Sequence, residues 1–371
     1  MLSFRLLSCW WKSIDKVLLY CVFFLIGFGL LMVFSTGPSV VSAISSNSNI
    51  NLFIFKQLVF VGMGISMMLF LSYVRLDYLA IICGLGFIVS ILLLCAVKFF
   101  GSSIKGAARW LNIFGCTLQP SDTLKPFFIF VNGLVLTQQK ERVLSGARLM
   151  ASSALLCVVG LLLLIQPDFG MFMMYLMTWG IQVFVANVTL VIVASILAVF
   201  VPLLGGCWFA FDHLRYRLSN FLFNGEMFQV GKSINAIKFG GFWGLGLGEG
   251  KVKRSLPDVH SDYVFAAMYE ECGAIFCVLI VLVYMLVVFR TISLLPKRNK
   301  AMMVIGYGCV GMLFLHVCIN MGVAMNILPP KGTTLPMISY GGSSMLSFCT
   351  LMGIILNMTR LRSKSYRWLE G

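Results

Sequence analysis

Four carboxylates, Asp258, Asp262, Glu270 and Glu271, stand at the head of an apolar run that continues to about residue 289. A carboxyl group in a partly dry cleft binds its proton more tightly than it does in water. That makes it suited to taking a proton from a hydroxyl. Asp262 stands at the expected start of the helix. Ala266 and Glu270, four and eight residues on, share its face, while Glu271 turns elsewhere. The competing reading is an acidic helix cap, which stabilises by about 0.5–2 kcal/mol.

Positive side chains accompany these acids. The stretch GAARWLNIFGCTLQPSDTLK (106–125) carries Arg109, suited to a phosphate, and Trp110, suited either to stacking on a sugar ring or to the membrane interface. Asp122 and Lys125 lie three apart on a helix, a spacing at which they can pair with each other. The turn QPDFG (166–170) presents Asp168. The segment NILPPKGTTLPMISYGGSS (326–344) has one charge, Lys331, and its Ser339, Tyr340, Ser343 and Ser344 lead into an apolar helix. Small residues there also suit helix contacts. Arg215 and Arg217 precede a glycine-rich stretch, GGFWGLGLGEG (240–250). The cations suit a pyrophosphate, and Asp168, Asp262 and Glu270 suit activation of a hydroxyl. No Cys or His spacing identifies a metal site.

The elements that must position these groups are membrane helices. The 371 residues are 60% hydrophobic and 11% charged, less than half the charge of a soluble domain, where about 25% is usual. Mean hydropathy is +0.96. Ten apolar spans are expected, at about 17–36, 53–72, 79–98, 120–137, 149–165, 170–186, 188–206, 263–290, 301–323 and 336–357. The fold class is therefore all-α: a single polytopic membrane domain over 1–371, with one large extracytoplasmic loop at about 207–262. Of the 12 cysteines most lie inside apolar runs; only Cys116 and Cys207 are placed to meet outside the bilayer.

With the N-terminus in the cytoplasm, fifteen of the 28 Lys and Arg fall on the cytoplasmic side and six on the outer side, the large loop left out. Nine of the 13 acids fall outside. An even number of spans returns the C-terminus to the cytoplasm. The net charge of +15 is then a cytoplasmic rim facing anionic lipid, which excludes nucleic acid as the partner.

Several segments resemble the SEDS family of peptidoglycan polymerases: GAARW (106–110), QPSD with Lys125, QPDFG (166–170), LPDVHSDYVFA (256–266), EECG (270–273) and LPPKGTTLPMISYGGSS (328–344). The resemblance runs from about Asp15 to Thr359, and KGTTLP is closer to the family's cell-division branch than to its elongation branch. It implies a ten-helix fold and processive glycosyl transfer from lipid II at the outer face of the cytoplasmic membrane. Asp262 falls on the family's essential aspartate, which would deprotonate the acceptor sugar's 4-hydroxyl, or hold a divalent cation (Mg2+ or Mn2+) that does. Undecaprenyl pyrophosphate would leave from the growing glycan.

By the same resemblance Arg109, Trp110, Lys125, Asp168, Arg217, Lys331 and Ser339 would bind the substrate or support the residues that do. Asp122, Glu270 and Glu271 would stand behind them. The implied partners are a class B penicillin-binding transpeptidase and divisome activators, at the division septum. Three features depart from the family pattern. Asp122 replaces a glutamate, the loop is short after NFLFNGE (220–226) and lacks a usual Asp-Pro-Trp-like turn, and His316 stands where a polar amide is expected. The alternatives are a lipid II flippase, an elongation-type polymerase and a scaffold for other division proteins. The acids cluster outside and the cytoplasmic helix halves are nearly free of charge, which favours the polymerase over the flippase.

Overall fold

The computed structural model describes residues 2–44, 50–104, 107–113, 116–137, 146–186 and 228–360. The seventh expected span, Arg215, Arg217 and Cys207 lie outside the described residues. Each of the other nine expected spans is a helix: α2 (Lys16–Ile44), α3 (Ile50–Tyr73), α4 (Leu76–Phe100), α5 (Pro120–Thr137), α6 (Gly146–Ile165), α7 (Phe169–Val185), α9 (Val264–Leu294), α10 (Lys300–Ala324) and α11 (Gly342–Met358). Six of them are long and apolar enough to cross a membrane by length and composition, and α7 and α11 are shorter apolar helices.

Two further helices and a small sheet were not expected. Helix α1 (Leu2–Ser13) precedes the first span, and Lys16 lies over its Trp11 ring at 5.5 Å. Helix α8 (Phe228–Gly240) sits in the large loop. The outer segment after α4 folds into three antiparallel strands in the order β1 (Ser102–Ile104), β2 (Ala107–Ile113) and β3 (Cys116–Leu118). Trp110 lies on β2, its Cα opposite that of Ser102.

Helices α3 and α11 approach backbone to backbone, so that a Cβ at Gly353 would stand 2.8 Å from the Met68 carbonyl oxygen. In a bilayer, where lipid tails are as apolar as leucine, such close packing is a main source of helix association. A buried, neutral hydrogen-bond network joins α5, α6 and α7. Asn132 donates to Gln182 (2.9 Å) and accepts from Ser152 (2.7 Å), and the Trp179 indole donates to Ser152 (2.7 Å).

Two expectations about element starts are corrected. Helix α9 begins at Val264, so Asp262 lies in the preceding turn and shares no helical face with Glu270. Helix α11 begins at Gly342, so Ser339 and Tyr340 belong to the loop before it, where the Ile338 and Ser339 amides bond to the Leu335 carbonyl in a turn and Gly341 is extended. Helix α9 is also two helices end to end, broken at Gly273 (φ 77°, ψ 177°).

Candidate active site

The segment carrying Asp262 turns back on itself, the amides of Ser261 and Asp262 bonding to the Asp258 carbonyl at 3.1 and 3.0 Å. It is then held against the loop between α10 and α11. Tyr340 N–H donates to the His260 carbonyl (2.8 Å), and the Ser339 hydroxyl donates to the Ser261 carbonyl (2.6 Å) while accepting from Leu335 N–H (2.8 Å). Ser339 therefore positions the Asp262 turn. From α10, the Asn320 side-chain amide donates to the backbone oxygens of Asp262 (2.9 Å) and Thr333. From α9, the Tyr284 hydroxyl donates to the Pro336 carbonyl. The cap position of α9 is Tyr263, which makes no side-chain cap bond.

Asp262 is partly exposed and faces Gly332, where a Cβ would stand 3.1 Å from Oδ2. The next residue back is Lys331, whose carbon stem lies against Gly170 of the QPDFG turn; a Cβ there would overlap it at 2.5 Å. The stem is partly exposed, but the ammonium is buried and has no hydrogen-bond partner among the described residues. Burial pushes the Lys331 pKa down to about 7, with Asp168 and Asp122 pulling it up and Lys125 pushing it down. A buried cation without a partner is costly, and an anion is the kind of group that would offset that cost.

The cations around Lys331 are themselves held. Lys125 is buried and donates to Asp122 (2.6 Å). It also meets His316 Nε2 (2.8 Å), whose Nδ1 lies 2.9 Å from the Met312 carbonyl. The carbonyl can only accept, so Nδ1 carries the proton and Nε2 accepts from Lys125. Asp122 accepts from Ser343 Oγ (3.1 Å), and its carbonyl accepts from Ser347 Oγ (2.6 Å). The shorter aspartate thus reaches both α5 and α11. Arg109, on β2, donates to the carbonyls of Gln166 (3.3 Å) and Pro167 and stands 3.7 Å from Asp168. Asp168 also caps α7 by accepting from Met171 N–H (3.3 Å).

Asp122, Lys125, Asp168, Arg109, Lys331, Ser339 and Asp262 therefore occupy one connected end of the helices. Glu270 and Glu271 do not join them by any bond seen here. Glu270 accepts the backbone N–H groups of Lys251, Val252 and Lys253 (2.7, 2.7 and 2.9 Å). Glu271 pairs with Lys253 and the Ser35 hydroxyl. Both acids fasten the loop after α8 to α9 and α2. The resemblance implied both behind Asp262, and helical spacing put only Glu270 on its face; that shared face is lost because the helix begins after Asp262. Asn320, Thr333 and Ser35 were not singled out from the sequence. All act through contacts between distant segments, which spacing along the chain does not reveal.

Among the described residues no three His, Cys, Asp or Glu side chains are grouped to hold a metal. The arrangement fits a Mg2+ or Mn2+ ion only in the mode that uses one carboxylate, several waters and phosphate oxygens of a substrate.

The model of a cell cycle protein family, FTSW_RODA_SPOVE, matches residues 15–364. The chain is 31% identical to the probable peptidoglycan glycosyltransferase FtsW of Caulobacter vibrioides, over 97% of this chain and 93% of that protein. It is 31% identical to the protein of the same name in Coxiella burnetii, over 93% and 96%. Among solved structures, it superposes on the rod shape determining protein RodA of Thermus thermophilus with TM-score 0.67 at 24% identity, over 95% of this chain and 99% of that one. A chain of a peptidoglycan synthase complex, described as coordinating polymerization and crosslinking, superposes with TM-score 0.74 at 23% identity, over 94% and 98%.

Proposed function

The chain belongs to the FtsW–RodA–SpoVE family of cell cycle proteins, and from that membership we propose that it is a multi-pass membrane peptidoglycan glycosyltransferase that polymerises lipid II during cell division. The observation that carries this reading is the pairing of a partly exposed carboxylate, Asp262, with a buried unpartnered amine, Lys331, on either side of Gly332. A glycosyl transfer to a hydroxyl with a diphosphate leaving group needs those two groups.

Asp262 takes the proton from the acceptor sugar's 4-hydroxyl. That oxygen forms a bond to the anomeric carbon of the lipid-linked chain, and the bond from that carbon to the pyrophosphate breaks. Negative charge grows on the departing undecaprenyl pyrophosphate, and Lys331 meets it from a site already desolvated. Arg109 adds charge from the sheet, while Lys125, saturated by Asp122 and His316, supports the site instead of touching substrate. Trp110 and Arg217 remain proposed substrate contacts. A divalent cation, if used, would be held by Asp262 and would supply charge to the diphosphate.

The division role rests on the FtsW relatives and on KGTTLP. The likeness to a chain of a complex that couples polymerization to crosslinking supports a transpeptidase partner, proposed here as a class B penicillin-binding protein with divisome activators at the septum. The charge asymmetry supports an outward-facing site with both termini cytoplasmic. In a glycan assay from lipid II with the partner transpeptidase, Asp262→Ala lowers turnover at least about 100-fold, the lower range for loss of a positioned base. Full polymerisation by that variant would end the general-base role. A wild-type protein that moves lipid II across vesicles without forming glycan would favour the flippase.

A further inference from the structure

Two buried polar atoms beside Asp262 have no partner among the described residues, Asn320 Oδ1 and Thr333 Oγ1. Both side chains are more than nine-tenths buried, at 0% and 6% relative exposure. The orientation of the Asn320 amide is fixed by its neighbours. Its nitrogen donates to the carbonyls of Asp262 and Thr333, and a flipped amide would set oxygen against two oxygens. With both N–H bonds spent, Oδ1 faces its surroundings as an acceptor alone. The Thr333 hydroxyl can donate or accept. Buried polar atoms almost always find partners, so two orphans next to a candidate base point to a ligand.

The ligand's chemistry follows from the atoms. An acceptor such as Asn320 Oδ1 repels phosphate oxygens and requires O–H or N–H. A metal ion takes its protein charge from carboxylates, whereas these two atoms belong to neutral groups. A saccharide offers hydroxyl and amide N–H groups. We propose that Asn320 Oδ1 and Thr333 Oγ1 form a subsite for a neutral hydroxyl or amide group of the acceptor saccharide, beside the hydroxyl that Asp262 deprotonates. The subsite rests on the glycosyl-transfer reading above. Because one amide ties the backbones of Asp262 and Thr333 together, it holds the bound group in register with the base.

Thr333→Val removes the hydroxyl and keeps the backbone carbonyl that Asn320 uses. In the complex with the transpeptidase, the KM for lipid II rises about 2- to 12-fold, the worth of one neutral hydrogen bond. The kcat stays within about two-fold, as for an interaction made equally in ground and transition states. The thermal midpoint of the free protein stays level or rises, because an orphaned polar atom has gone. Thr333→Ser restores the wild-type KM. An unchanged KM overturns the subsite, and an unchanged KM with a lowered midpoint assigns the hydroxyl to an ordered water only. Asp262→Ala, run alongside, separates the two ideas. If it still polymerises, the catalytic reading fails; if it is inactive while Thr333→Val keeps its KM, only the subsite fails.

Discussion

Lys331 brings an amine into a place where burial favours the neutral form, and the nearby Asp168 and Asp122 only partly oppose this. Its pKa near 7, against 10.5 in the unfolded chain, has two consequences of opposite sign. Between those values the unfolded chain binds the proton and the folded chain does not, so this group makes stability rise with pH across that window. Binding of a diphosphate needs the charged form, so the KM for lipid II rises as pH climbs above about 7. Lys331→Arg holds its charge throughout and flattens that alkaline rise; matching profiles in the two proteins would remove Lys331 from the phosphate. The pairing of Asp122 with Lys125 was readable from a spacing of three residues. His316 as the third member was not, since it stands 191 residues from Lys125, and neither was Asn320, 58 residues from Asp262. The sequence led to an expectation of which charges share one side of the membrane; only the folded chain shows which are saturated and which are open.

At the level of elements, the break in α9 decides where the large loop sits. The helix gives up its ladder around Gly273, and the glycine-rich loop occupies the gap. Leu245 and Gly246 N–H donate to the carbonyls of Glu270 and Glu271 (both 2.9 Å), and Ala274 N–H donates to the Gly241 carbonyl (3.0 Å). Irregular backbone near a membrane must have its polar groups satisfied within the protein, and this exchange does so. A Cβ at residue 273 would stand 2.4 Å from the Phe242 oxygen and 2.5 Å from the Gly244 nitrogen, at a φ of 77° that side chains rarely adopt. Gly273→Ala therefore costs at least about 1–3 kcal/mol from the backbone conformation, and it loosens the loop. A lower thermal midpoint in detergent together with faster trypsin cleavage at Lys251 and Arg254, both exposed, is the expected result; unchanged values for both would show that the loop is held elsewhere. Hydropathy read the run from 263 to 290 as one helix because a single glycine barely alters its average. The three short strands escaped for a related reason: segments of three to seven residues carry too little alternation to stand out beside long apolar helices.

The whole molecule has two polar ends that differ in kind. At one, carboxylates and cations gather near the partly exposed Asp262. At the other, the bonds close the helix ends together. Arg290 pairs with Asp15 (2.8 Å), Arg360 donates to the Ser13 hydroxyl and to the carbonyls of Ser72 and Tyr73, and Asn357 donates to the carbonyls of Leu71 and Val74. Along the sequence, with the large loop left out, fifteen Lys and Arg are expected on the side of this second end against six on the other, and under the rule that basic loops stay in the cytoplasm the Asp262 end would face outward. Between the two ends, the α5–α6–α7 network is neutral and hydrogen-bonded, a poor route for a diphosphate and a good spacer between the closed end and the Asp262 end. An epitope inserted after Gly248, where nothing crowds the backbone, is reached by antibody in intact spheroplasts. One inserted between Lys297 and Arg298, in the turn joining α9 to α10, is reached only after lysis. The reverse pattern would put the carboxylate on the cytoplasmic side, away from the growing wall. A polymerase acting at the outer face could not work from there, however well Asp262 and Lys331 were placed.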